Sequence, residues 1–177
     1  MGLSNSCIKS GSDAPRFESL RQSHIDWLIA QGVPAIAIVM PYALEIARGI
    51  RAEDGIFEHD PVGTAWFVFN EPDDTICWNP KTGEVATDLG RAFALGQDEI
   101  ANPGATSLGQ WLHVHESPLD WLRASRRGIV VLRWEWAFEQ LRDVERIAVP
   151  ESLVSRYEKN MKPKLPAVGV IQKAVAA

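Results

Sequence analysis

The strongest constraint in this sequence is a change in how its apolar residues are spaced along the chain. Between residues 46 and 87 they come in short runs rich in branched and aromatic side chains, separated by turn-forming residues: Ala65–Phe69, Ile76–Trp78 and Val85–Thr87. Runs of this length between such turns predict strands of an antiparallel meander. Pro72 and Pro80 lie in the turns, where a missing N–H removes no bond from a sheet.

The last third of the chain alternates apolar runs with segments long enough to be helices. The runs are Ile129–Leu132, Ile147–Val149 and Val168–Ile171, and the segments between them are Trp134–Arg142 and Glu151–Met161. Unbroken apolar strands joined by helical crossovers are typical of parallel pairing. The predicted fold class is therefore α+β: an antiparallel β-meander followed by a C-terminal β-α-β-α-β unit, in a single domain.

Local signals predict the remaining elements. Asp13 and Pro15 fit the start of a helix that runs through Ala30. The prolines within Val33–Tyr42 favour a linking strand or loop. We also expect a short helix over Arg91–Ile100, a helix from Ser117 through Ser125, and shared burial of four side chains in the last third: Leu132, Phe138, Val149 and Tyr157.

The length of 177 residues fits one domain, and 46% of the residues are hydrophobic. We expect residues 1–12, rich in Ser and Gly, to be a flexible segment, and residues 13–177 to form one globular domain. No apolar run approaches the ~20 residues that cross a bilayer, and no signal peptide is evident. Cys7 and Cys77 have neither metal-binding nor disulfide-framework spacing, so the sequence predicts a cytoplasmic protein.

The net charge of −5 conceals an uneven distribution. Residues 1–120 contain 7 Lys and Arg against 17 Asp and Glu, whereas residues 121–177 contain 11 against 6. Four arginines lie within eleven positions: Arg123, Arg126, Arg127 and Arg133. They could form a surface for nucleic acid or an acidic partner, since the guanidinium fork suits phosphate. The favoured interpretation is pairing with the acids between Glu53 and Asp74, because a net negative chain is repelled by DNA.

Two further residues complete the candidate binding set. Glu151, like Arg133, falls near the carboxyl end of a strand in the expected parallel unit, where ligands of such sheets bind. Trp134 and Trp136 cannot share one helix face, so we expect Trp136 to reach the surface or a partner. The candidate binding residues are therefore Arg123, Arg126, Arg127, Arg133, Glu151 and Trp136.

His113 and His115 would point to the same side of a strand and could supply half of a metal site. Catalytic zinc needs a third protein ligand, and none occurs at a recognisable spacing. We therefore predict no metal and no cofactor, and a metal-dependent hydrolase or nuclease remains an alternative. Nucleophile elbows, phosphate-binding loops and dinucleotide fingerprints do not occur, so no catalytic residue is assigned.

The start of the chain offers another alternative. Met1–Ser6 fits the short myristoylation pattern at Gly2, and Cys7 could take a second acyl chain. Such modification would make this an acylated protein acting at a host membrane.

Three phrases carry a family resemblance: Ile76–Glu84, Gly90–Gly96, and Ser117–Ala124 followed by Arg127–Val131. Over about residues 65–171 the chain resembles a family of bacterial proteins without an established activity. The family is associated with alphaproteobacterial chromosomes, plasmids and integrated mobile elements. The resemblance implies a role as an accessory of a mobile element and transfers no catalytic residue.

Together these observations predict a non-enzymatic accessory protein that binds another macromolecule. The acidic chain makes a protein partner more plausible than nucleic acid, and a membrane partner is not expected.

Overall fold

The computed structural model describes residues 16–102 and 110–163. Four predictions lie outside these residues: the flexible segment at residues 1–12, the helix start at Asp13, the acylation motif, and a strand over Val168–Ile171. The chain divides into two compact units, Met1–Gly90 and Arg91–Ala177, which are described separately. Helices and strands are mixed throughout, and the α+β class is confirmed.

The first unit is built on a six-stranded antiparallel sheet, as the short apolar runs predict. Its strands are β1 (Glu18–Ser19), β2 (Glu45–Arg51), β3 (Phe57–His59), β4 (Thr64–Asn70), β5 (Thr75–Trp78) and β6 (Val85–Thr87). They are ordered β1-β2-β4-β5-β6, and β3 also pairs with β2. The predicted meander is confirmed by β4, β5 and β6.

Both faces of this sheet carry buried apolar side chains. Phe67 on β4 pairs with Ile46 on one side and Trp78 on the other, so these three share a face. The opposite face carries a separate buried cluster, formed by Ala47, Phe57, Trp66, Val68, Cys77 and Ala86. Burial on both faces explains why the run over β4 is continuously apolar instead of alternating.

Asp74 is a buried carboxylate in the turn between β4 and β5. Its Oδ1 accepts hydrogen bonds from the backbone N–H groups of Thr75 and Leu89, both at 2.8 Å. The side chain therefore ties this turn to the chain that leaves β6.

The helices of the first unit differ from the predictions. Helix α1 spans Gln22–Ala30 and β1 precedes it, so the predicted helix from Asp13 is wrong over Glu18–Ser19. A second helix, α2, spans Ala35–Val39, where a linking strand or loop was expected. Pro34 occupies its N-cap and Pro41 follows its end, so the two prolines bound a helical turn and do not prevent one.

The second unit contains β7 (Ala94–Leu95), α3 (Asp98–Ala101), β8 (Leu112–His113), α4 (Pro118–Arg123), β9 (Val130–Val131), α5 (Ala137–Leu141), β10 (Ile147–Ala148) and α6 (Glu151–Asn160). Strand β10 pairs with β8 in parallel, and Val114 forms a parallel bridge with Ile129. Parallel pairing is thus present and is centred on the strand that contains His113, but it does not join the expected strands, because β9 pairs antiparallel with β7. The predicted helix over Arg91–Ile100 is wrong, because Ala94–Leu95 pair with β9 and the helix is confined to α3.

The core of the second unit is a buried cluster made of Phe93, Ala94, Leu112, Val114, Ile129, Val131, Trp134, Ala137 and Leu141. Val149 and Tyr157 pack against it but are only partly buried, as are Leu132 and Phe138, so the predicted shared burial of these four side chains is wrong. For Phe138 the reason is a 3-10 turn at Trp134–Trp136, which has three residues per turn and shifts the following helix. Ala137 and Leu141, four residues apart, then face the core in place of Phe138.

Truncation of Leu141 and of Phe138 to alanine should destabilise the protein to different extents. We expect Leu141→Ala to lower the free energy of unfolding by about 2–5 kcal/mol, the usual cost of emptying a fully buried aliphatic site. Phe138→Ala should cost less, because its ring is partly in water and lies 6.0 Å from the Arg142 guanidinium. Urea unfolding of both variants measures this, and a larger loss for Phe138→Ala would contradict the packing.

Cys77 lies on β5 with its thiol fully buried. Burial raises the pKa of this thiol to about 12, and the Asp88 carboxylate adds to the shift. In the folded state the thiol therefore stays protonated well above pH 9.0, which is the ordinary pKa of a cysteine thiol.

This difference predicts a stability loss in alkali. The folded pKa is raised, so the contribution of the thiol is complete below pH 9 and is lost as the pH rises from 9 towards about 12. Between pH 8 and pH 10 the wild type should lose on the order of 1 kcal/mol more than Cys77→Ala does. Denaturant unfolding at both pH values measures the difference, and equal losses would contradict burial of the thiol.

Candidate functional site

Arg123 and Arg126 are held by neighbouring side chains of the second unit. Arg123 is the last residue of α4, and its Nη1 lies 3.1 Å from Oδ1 of Asp120 on the same helix. The Arg126 guanidinium lies 5.7 Å from the centre of the Trp121 ring. Trp121 is buried, so this arginine lies along the edge of the core.

Arg133, Trp136 and Glu151 lie farther along the same unit. The Arg133 guanidinium is 4.7 Å from the centre of the Trp136 ring, a distance at which a cation attracts the aromatic face. Trp136 is half-buried and packs on the core cluster. Glu151 is the exposed first residue of α6.

One cleft of the second unit brings together two residues singled out from the sequence, His113 and Arg127. Its volume is about 590 Å³, and Glu99, Trp111 and Gly128 also line it. His113 and Arg127 are both exposed there.

His115 makes a specific contact next to this cleft. Its Nε2 lies 2.8 Å from the backbone carbonyl oxygen of Arg127. A carbonyl oxygen only accepts, so Nε2 carries the proton and donates it. The close approach depends on Gly128, whose φ of +81° favours glycine, and a Cβ at this position would overlap the His113 carbonyl oxygen.

Within residues 16–102 and 110–163, no three His, Cys, Asp or Glu side chains are grouped so that they could hold a metal ion. The hydrogen bond to Arg127 also occupies Nε2 of His115, which leaves only Nδ1 with a lone pair for a ligand bond.

This geometry predicts weak zinc binding at the histidine pair. We expect stoichiometric zinc not to survive dialysis, and His115→Ala not to change the residual zinc content. The same variant should lower stability by about 0.5–1.5 kcal/mol through loss of the hydrogen bond to Arg127. Elemental analysis and urea unfolding test both parts, and one zinc per chain that is lost in His115→Ala would contradict them.

The structure places an exposed apolar surface in the first unit, which the sequence analysis missed. We define the apolar surface as Ile36, Val39, Met40 and Tyr42, each between 54% and 58% exposed. Beside it runs a groove of about 520 Å³ that is also lined by Leu20. The available signal was the strongly apolar segment Val33–Tyr42, which is too apolar for an ordinary exposed linker.

A second cavity of the first unit, of about 480 Å³, opens beside helix α1. Trp27 and His24 of this helix line it together with Phe67 of β4, and Lys81 contributes from the turn between β5 and β6. None of these residues belonged to the candidate set.

The chain matches no protein-family model, no curated protein and no solved structure. In the part of the chain that the structure describes, no helix is both long and apolar enough to span a membrane.

Proposed function

We propose that this chain is a non-enzymatic binding protein that recognises another protein through its apolar surface. The observation that carries the proposal is helix α2, whose outward side chains are as apolar as its inward ones. Ala37 and Ile38 are buried, whereas Ile36 and Val39 are about half exposed. A helix at a protein surface ordinarily has polar side chains on its outer face, and contiguous exposed apolar groups mark interaction sites.

The size of the apolar surface is sufficient to matter for binding. Complete burial of one large aliphatic side chain stabilises by about 1.5–3 kcal/mol, and each side chain here still has about half of that to gain. The four side chains together could contribute about 3–6 kcal/mol. A micromolar complex requires about 8 kcal/mol in total, so a partner would need additional contacts, for which the adjoining groove offers space.

Charge favours a protein over a nucleic acid as the partner. Residues 16–90 contain five Lys and Arg against twelve Asp and Glu, a balance that repels phosphate at long range. In the second unit, Arg123 faces Asp120, and Arg126 and Arg133 lie over tryptophan rings. These contacts support a packing role for the arginines and reduce what they offer to a polyanion.

The setting of this function is part of the proposal. We propose that the chain acts as an accessory of a mobile genetic element, the role that the family resemblance implies. We place the interaction in the cytoplasm, where reducing conditions keep thiols such as that of Cys77 unpaired.

Charge placed on the apolar surface should abolish partner binding. We expect Ile36→Glu/Val39→Glu to lose a protein that the wild type captures from extracts of its own cells, because both carboxylates would be buried unpaired in the interface. Val62→Glu is the matched control, since Val62 is exposed outside this surface. Quantitative mass spectrometry of the captured proteins, after nuclease treatment, is the readout.

Two outcomes would contradict the proposal. One is that every captured protein binds the double variant and the wild type equally. The other is tight binding of a short DNA duplex, with a Kd below about 1 μM at physiological salt, since non-specific binding is usually weaker than this. The double variant would also abolish self-association through this surface. Analytical ultracentrifugation of the purified wild type measures its oligomeric state and so distinguishes self-association from binding of another protein.

A further inference from the structure

We propose that the cavity beside helix α1 binds a small planar aromatic carboxylate. This site is separate from the apolar surface, and its ligand is a small molecule. Its lining includes two aromatic residues, one from α1 and one from β4, together with a histidine and a lysine. A largely apolar pocket of a few hundred Å³ with a few convergent polar groups is the usual form of a small-molecule site.

The aromatic wall is part of a cluster of three rings that contact one another. Phe67 stacks on Trp78 with 5.7 Å between ring centres and an interplanar angle of 26°. Trp27 stacks on Phe67 at 5.9 Å and 20°, and its ring centre lies 6.4 Å from that of Trp78 at 46°. Phe67 and Trp78 are buried, whereas Trp27 is 36% exposed. Because Trp27 and Phe67 both line the cavity, the cluster presents aromatic surface there against which a further flat ring can pack.

His24 supplies a hydrogen-bond donor of defined tautomer. Its Nδ1 lies 3.2 Å from the backbone nitrogen of Arg21 and accepts that N–H. Neutral histidine carries its proton on the other nitrogen when Nδ1 accepts, so Nε2–H is the donor. The ring is also oriented by Phe67, against which it lies edge-on at 6.1 Å and 77°.

Lys81 supplies the positive charge from a turn that is closed by hydrogen bonds to Asn79. Its backbone N–H donates to Oδ1 of Asn79 at 3.0 Å, and Asn79 is buried. Gly83 N–H closes the same turn by donating to the Asn79 carbonyl oxygen at 2.8 Å. Among the described side chains, Lys81 has no ion-pair partner, so its amine can neutralise a bound anion.

The polar groups and the volume define the ligand class. One amine and one neutral N–H donor match a single carboxylate, whereas phosphate esters carry up to two charges and require more donors. The acidic surroundings of residues 16–90 also disfavour multiply charged ligands. A volume of about 480 Å³ accommodates one ring or two fused rings. Together with the aromatic lining, this size indicates a small aromatic acid as the ligand.

Titration calorimetry with 2-naphthoate and its neutral isostere 2-naphthamide tests the proposal. We expect saturable naphthoate binding with a Kd below about 1 mM. The Kd for naphthamide should be at least about fivefold higher. Lys81→Met should remove this preference for the acid without changing the affinity for the amide. Trp27→Ala should weaken both ligands, because it removes the stacking surface.

Lys159→Met is the matched control, since Lys159 is an exposed lysine on α6 of the second unit. It should leave both affinities unchanged, and circular dichroism establishes that each variant is folded. Absence of saturable binding, or equal affinity for acid and amide in the wild type, would overturn the proposal. Tighter binding of a tripeptide with a C-terminal Trp carboxylate than of naphthoate would overturn the assignment to a small molecule.

Discussion

Strand β4 carries apolar side chains on both of its faces, and neither face is open to water. Phe67 and Phe69 lie on one side, and Trp66 and Val68 lie on the other, all buried. Because both sides must be covered, the first unit needs helix α1 against one face, whereas on the other face Phe57 packs on Trp66 and Phe17 packs against their cluster. The buried thiol of Cys77, the cluster of three aromatic rings and the cavity beside α1 all follow from this arrangement.

The sequence predicts elements well where one signal decides them. Turn residues around Pro72 and Gly83 delimit short strands, and Ser117 with Pro118 starts α4 with a side-chain cap on the N–H of Asp120. Prediction fails where two signals compete. Pro34 and Pro41 favour a linking strand or loop in the sequence, although prolines also fit the two ends of a helix. The 3-10 turn at Trp134–Trp136 changes which residues face the core. The spacing of apolar residues in the sequence does not predict such a change in helical pitch.

The candidate site was harder to predict than the fold, for a related reason. The clustering of Arg123, Arg126, Arg127 and Arg133 is visible in the sequence, but what each guanidinium touches depends on nearby rings and carboxylates. By contrast, Trp27 and Lys81 are 54 positions apart and meet at one cavity because a helix and a turn converge on the sheet. The order of residues along the chain does not show that convergence. The apolar segment around Ile36 was visible in the sequence, but it was interpreted as a linking strand or loop.

The meander of the first unit and the parallel pair of the second differ in how far apart along the chain their paired strands lie, and this affects the order of folding. Phe67 pairs with Trp78, and Asp74 then closes the hairpin region by binding Leu89, all over short separations. The parallel pair of the second unit joins Leu112 to Ile147, which are 35 positions apart. Closing the longer loop costs more chain entropy before any contact forms. During synthesis the meander is also the first to be complete, so it can fold while the parallel strands are still being made.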